Sequence, residues 1–123
     1  MTRIYHITTR GAWQQAQKDG HYTAPSLEGE GFIHCSTAAQ VIQVANAFYR
    51  NVPHLVLLCI EPDRLTAALK WEAPAHPSAH EEAPLETDAL LFPHVYGIIN
   101  LDAVTEVVDF PQSENGFSLP EGI

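Results

Sequence analysis

Thr37-Ala-Ala-Gln40-Val-Ile-Gln-Val-Ala45-Asn-Ala-Phe-Tyr-Arg50-Asn-Val-Pro-His-Leu55-Val-Leu-Leu-Cys-Ile60-Glu61 carries a complete helix signal followed at once by a buried-strand signal. Thr37 and Gln40 have the capping-box spacing, in which hydroxyl and amide satisfy each other's backbone donors. Val41, Val44, Ala45, Phe48 and Tyr49 then fall at i, i+3, i+4, i+7 and i+8, one apolar stripe. Arg50 sits where a last helical turn favours a cation, and Pro53 forbids continuation. The unbroken apolar run Leu55–Ile60, closed by Glu61, has the pattern of a central strand covered on both faces.

Working outward, Arg3–Ile7 reads as a first strand, β-branched and aromatic, ahead of the turn-like Thr8-Thr9. Thr9 or Thr8 caps a predicted helix from about Arg10 to Lys18, and Gly20 follows at the left-handed stop position. His21–Gly31, with Pro25, Gly29 and Gly31, is expected to be irregular, and Phe32–Cys35 a second strand. Beyond the central run, Pro62–Leu65 is a turn opening a short helical turn. Leu69–Glu72 alternates as a strand, with Lys70 and Glu72 opposite Trp71. The stretch Ala73–Leu91, holding Pro74, Pro77 and Pro84, is long for a connection and is expected to be lid-like. Val95–Leu101 and Val104–Phe110 are predicted to pair as a hairpin around Asn100–Ala103. The prediction is therefore a single α+β domain over residues 1–110, followed by an acidic, flexible tail at 111–123.

Composition excludes several classes. With 123 residues the chain builds one core of ordinary size, and 46% hydrophobic residues rule out a wholly disordered chain. The run Leu55–Ile60 is far short of a membrane span, so no membrane partner is expected. The N-terminal Met1-Thr-Arg-Ile-Tyr-His6 lacks the basic-then-apolar build of a secretory signal, and a cytoplasmic location is expected. Two cysteines, Cys35 and Cys59, do not make a disulfide framework in that setting. Net charge is −9 and unevenly spread: every Lys and Arg lies within residues 1–70, whereas 71–123 contain only acids. Such a field repels a polyanion, so no nucleic-acid partner is expected, while a small anionic ligand near the first half remains compatible.

The chemistry concentrates on histidine. Of 7 histidines, His6, His34 and His94 lie in or beside predicted strands among large apolar neighbours, where each buried imidazole needs a partner. A zinc site built from them with Cys35 or Glu72 lacks any local ligand spacing, and no metal is expected. Nucleophilic catalysis by Cys35 or Ser36 is disfavoured because His34 and Cys35, adjacent on a strand, point to opposite faces. A ligand cleft fits better: strand histidines, the carboxylate of Glu72, and Ser36 and Thr37 opening a helix whose amides favour an anion.

Ile4-Tyr-His6, Trp13, Gly20-His-Tyr22, Ser26-Leu27, Gly31-Phe-Ile-His-Cys-Ser36, Gln40, Ala45-Asn46, Phe48, Glu72 and Phe92-Pro-His-Val-Tyr-Gly97 resemble the bacterial family called domain of unknown function 952. The resemblance runs from about Ile4 to Val108. That family is similar to the ADP-ribosyltransferase-like fold, which implies a split, mostly antiparallel sheet with two main helices and a central cleft for NAD. It implies catalytic positions at His6 on the first strand and His34 on the second, with Glu72 and His94 both open for the third. It implies cofactor contacts from His6, Ser26, Ser36, Thr37 and Tyr96. The function so implied is binding of NAD or a related nucleotide and transfer of ADP-ribose. There His6 bonds a ribose hydroxyl and Glu72 stabilises the oxocarbenium charge as nicotinamide leaves. The competing reading is a non-catalytic nucleotide- or small-ligand-binding module on the same fold, with a metal-dependent hydrolase third.

Overall fold

The computed structural model describes residues 2–73 and 91–123. In chain order the elements are β1 (Ile4–Thr9), α1 (Arg10–Asp19), β2 (His21–Tyr22), α2 (Pro25–Glu30), β3 (Ile33–His34), α3 (Ala38–Phe48), β4 (Leu55–Ile60), β5 (Ala68–Glu72), β6 (Phe92–Tyr96), β7 (Ile99–Asn100) and β8 (Val104–Asp109). Short 3-10 turns at Pro62–Arg64 and Leu101–Ala103 precede β5 and β8. The fold is α+β, and every strand pairing among the described residues is antiparallel.

Two three-stranded sheets, β1-β4-β8 and β3-β6-β5, are accompanied by the small ribbon β2-β7. The first two are bridged where the Tyr5 and Ser36 amides and carbonyls exchange two hydrogen bonds of 2.8 Å, joining β1 to the chain just beyond β3. β4 lies in the middle of its sheet and all six of its residues are buried, as its apolar run demands. One face of that sheet (Ile4, Val56, Leu58, Ile60) packs with Ala16, Tyr22, Ile33, Val95 and Ile99. The other (Tyr5, Ile7, Leu55, Leu57, Cys59) is covered by Val41 and Ala45 of α3 and by Phe110 and Phe117.

Local signals act as their chemistry requires. Thr9 caps α1 through Oγ1, and Gly20, at φ 86°, closes it with its N–H on the Ala16 carbonyl. The capping box at α3 forms in full, Gln40 N–H to Thr37 Oγ1 and Thr37 N–H to Gln40 Oε1.

Four expectations change. Residues 21–31 are not irregular: His21-Tyr22 pairs with β7, and Pro25–Glu30 forms a helix with Pro25 opening it and Gly31, at φ 92°, ending it. α3 stops at Phe48, so Arg50 lies beyond it, the chain reverses at Asn51 with φ 68°, and Phe48 stays 43% exposed. The predicted hairpin does not form: β7 pairs with β2, and β8 with the otherwise bare edge of β4. The physical reason is Asn100. Its Oδ1 accepts from the Thr66 N–H, and its Nδ2 donates to the Arg64 carbonyl and Asp102 Oδ1, so it clamps the 64–66 segment instead of turning the chain. Finally, the segment expected to be a frayed tail is anchored as far as Phe117, which is buried, stacks on Phe110 and donates its N–H to Asn46 Oδ1. Most of the expected lid-like connection lies outside the described residues.

Candidate functional site

The sheet β3-β6-β5 separates apolar from polar by strand alternation. Ile33, Val95 and Leu69 are cross-strand neighbours turned into the first core. The next row, His34, His94 and Lys70, faces the other way, joined there by Tyr96 and Glu72. This polar face gathers His34, Glu72, His94 and Tyr96 into one cluster.

Each imidazole is held by a carboxylate. His94 Nδ1 donates to Glu72 Oε1 at 2.8 Å, and the Tyr96 hydroxyl donates to the same oxygen at 2.6 Å. These two donors hold the Glu72 carboxyl below its ordinary pKa, and the same contact raises the Tyr96 phenol. With Nδ1–H committed to an ionised carboxylate, the neutral form of the His94 ring carries its lone pair at Nε2. Among the described residues that nitrogen has no hydrogen-bond partner, although the residue is only 2% exposed, and Glu72 Oε2 has none either. His34 Nε2 donates to Glu30 Oε1 at 2.8 Å. The Phe32 ring stacks on His94 at 4.0 Å between centroids and meets His34 edge-on at 4.9 Å. The Lys70 ammonium lies 4.9 Å from the centre of the Tyr96 ring.

His6 is not on this face. It projects from β1 into the first core, 6% exposed, with both nitrogens engaged: Nδ1 lies 2.6 Å from the His34 carbonyl and Nε2 2.8 Å from the Tyr22 hydroxyl. Burial lowers its pKa from 6.5 to about 4, so the ring is neutral. A carbonyl only accepts, so the single ring proton sits on Nδ1, Tyr22 donates to Nε2, and the Thr8 hydroxyl, 3.0 Å away, supports the phenol oxygen. Burial also pushes the Tyr22 phenol up to about 12, with Thr8 opposing. His6 is therefore a positioning residue that fixes the β3 backbone behind His34, where a ribose contact had been expected.

Ser26, Ser36 and Thr37 are likewise structural. Ser26 Oγ donates to the Phe32 carbonyl at 2.8 Å and steadies the stacking ring. Ser36 is buried at the bridge to β1, and Thr37 is used by its capping box. Cys35 is a buried thiol in the first core with its pKa pushed far up by desolvation, which removes it as a nucleophile. Among the described residues no three His, Cys, Asp or Glu side chains are grouped to hold a metal. Sequence reading missed Glu30, Phe32 and Lys70. Lys70 was legible in retrospect, because strand alternation puts it on the same face as Glu72.

A family model described as "Protein of unknown function (DUF952)" matches residues 7–107. The crystal structure of protein CC0527 from Caulobacter crescentus is similar, with a TM-score of 0.77, 30% identity, and coverage of 94% of this chain and 92% of that one. A solution NMR structure of the same protein gives a TM-score of 0.73 at 30% identity, covering 95% and 91%. No curated protein matches. With the family's pattern spanning most of its length, the chain belongs to the DUF952 family.

Proposed function

We propose that the polar face of β3-β6-β5 is a nucleotide cleft that takes NAD or a related dinucleotide and transfers its ADP-ribose. The observation that supports this most directly is Glu72. Its carboxylate is kept ionised and oriented by His94 and Tyr96 through one oxygen, which leaves the other open to a ligand. When the bond between nicotinamide and ribose breaks, nicotinamide leaves with the bonding pair and positive charge develops on the sugar. A pre-oriented carboxylate stabilises that charge without reorganising. The acceptor then bonds to the anomeric carbon and gives its proton to His94 Nε2, whose orientation Glu72 fixes.

The test is an NMR titration with NAD alongside an assay of nicotinamide release. Signals of His34, His94 and Tyr96 are expected to shift, and Glu72→Gln is expected to lose about a hundredfold in release while still binding. Absence of any shift at millimolar NAD would overturn the reading.

The internal engagement of both His6 nitrogens favours a second reading, a binding module without turnover. Full occupancy by NAD with no nicotinamide release would select it.

A further inference from the structure

Lys70 is a cation on this polar face, directly opposite His94 in the register. Arg3 pairs with Glu106, Arg10 with Asp109, and Arg64 donates to the Asp102 carbonyl. Among the described residues Lys70 has no ion pair; its ammonium rests over the Tyr96 ring. Glu72, two residues along the same strand, attracts it through space without a direct ion pair. Lys70 thus brings to the candidate site of a chain carrying −9 a positive charge that has no direct ion pair among the described residues.

Its position in the register gives that charge a direction. Lys70 stands directly opposite His94, which stands opposite His34, so the three form one row across β5, β6 and β3. Neighbouring strands lie about 4.8 Å apart, and a ligand lying along this row crosses the strands. β5 is an edge strand and Lys70 is exposed, so it marks one end of the row, while His94, buried on the central strand β6, marks its middle.

We infer that Lys70 is the phosphate contact of this cleft, and that the ligand lies across the strands with its phosphates at the β5 edge and its sugar over His94 and Glu72. The assignment rests on the nucleotide reading above for the identity of the ligand, but its own requirement is only an anionic phosphate. An ammonium on a flexible stem suits a phosphate as a point charge, and the exposed edge leaves the remaining phosphate oxygens in water.

The experiment compares the full chain with Lys70→Gln and Lys70→Arg. Each is titrated by NMR with NAD, with inorganic pyrophosphate and with nicotinamide riboside, which has no phosphate. Lys70→Gln is expected to weaken NAD and pyrophosphate by about tenfold and leave nicotinamide riboside unchanged, with Lys70→Arg recovering most of the loss. NAD affinity unchanged in Lys70→Gln would overturn the inference while the nucleotide reading stood. Pyrophosphate binding that depends on Lys70, with NAD failing to bind, would overturn the nucleotide reading and keep the inference. No binding of either phosphate ligand would overturn both.

Discussion

Acidification should weaken the fold through His6 before the carboxylates contribute much. In the folded chain its pKa is lowered from 6.5 to about 4, because the buried ring has no solvent to stabilise a charge, an effect that outweighs the opposing bond to the His34 carbonyl. The unfolded chain binds the proton near 6.5, so below that pH the unfolded state is favoured. The stabilisation is intact above about pH 6.5 and lost progressively as pH falls toward 4. At about 1.4 kcal/mol per pKa unit, the loss amounts to about 2 kcal/mol by pH 5 and about 3 kcal/mol at the end of the window. Urea unfolding between pH 7 and pH 5 should show that slope, and His6→Leu, which is less stable throughout, should lack it. Equal slopes in the two proteins would refute the reasoning, as would a His6 ring whose NMR signals titrate near 6.5. The ring signals also identify the tautomer: Nδ1–H is required if the His34 carbonyl is its partner.

Two further outcomes follow from the packing and from the site. Phe117→Ala removes a buried ring from its stack on Phe110 and should cost about 3 kcal/mol in urea unfolding, whereas a free tail would show no change. Glu72→Gln removes the charge that raises the Tyr96 phenol, so the ultraviolet titration of Tyr96 should move down toward the ordinary tyrosine value. An unmoved curve would mean that the 2.6 Å contact does not persist in solution.

The elements legible in the sequence were those whose residues satisfy themselves locally. Thr37 and Gln40 answer each other within one turn, Gly20 needs only its own backbone, and Leu55–Ile60 is apolar enough to be central wherever its neighbours come from. Elements that depend on a distant partner were misread. β2 and β7 are two residues each and exist because they meet, and no pattern of period two can be detected over two residues. The supposed hairpin failed for a related reason. Val95–Leu101 and Val104–Phe110 do look like two strands and a turn, but the decisive residue, Asn100, bonds to Arg64 and Thr66, more than thirty positions earlier. Pro25 and Gly31 were read as loop markers, although the same two residues at that spacing also open and close a short helix.

The site divides along the same line, and the division explains why its residues have unequal roles. Strand alternation was enough to put Lys70 and Glu72 on one face, and antiparallel register carries His94 and His34 onto it beside them. What alternation within one strand does not disclose is which face is covered. His6 also belongs to a regular strand, but its face of β1 is closed by Tyr22 and the first core, so its imidazole became part of the frame. His94 is as deeply buried, yet among the described residues its second nitrogen has no partner. A buried polar atom left unsatisfied costs stability, about 1–3 kcal/mol for a neutral group. Among the described residues the fold supplies a partner for both nitrogens of His6 and for one nitrogen of His94. That asymmetry is why the proposed chemistry is assigned to Nε2 of His94, with His6 bonded to the His34 carbonyl as support.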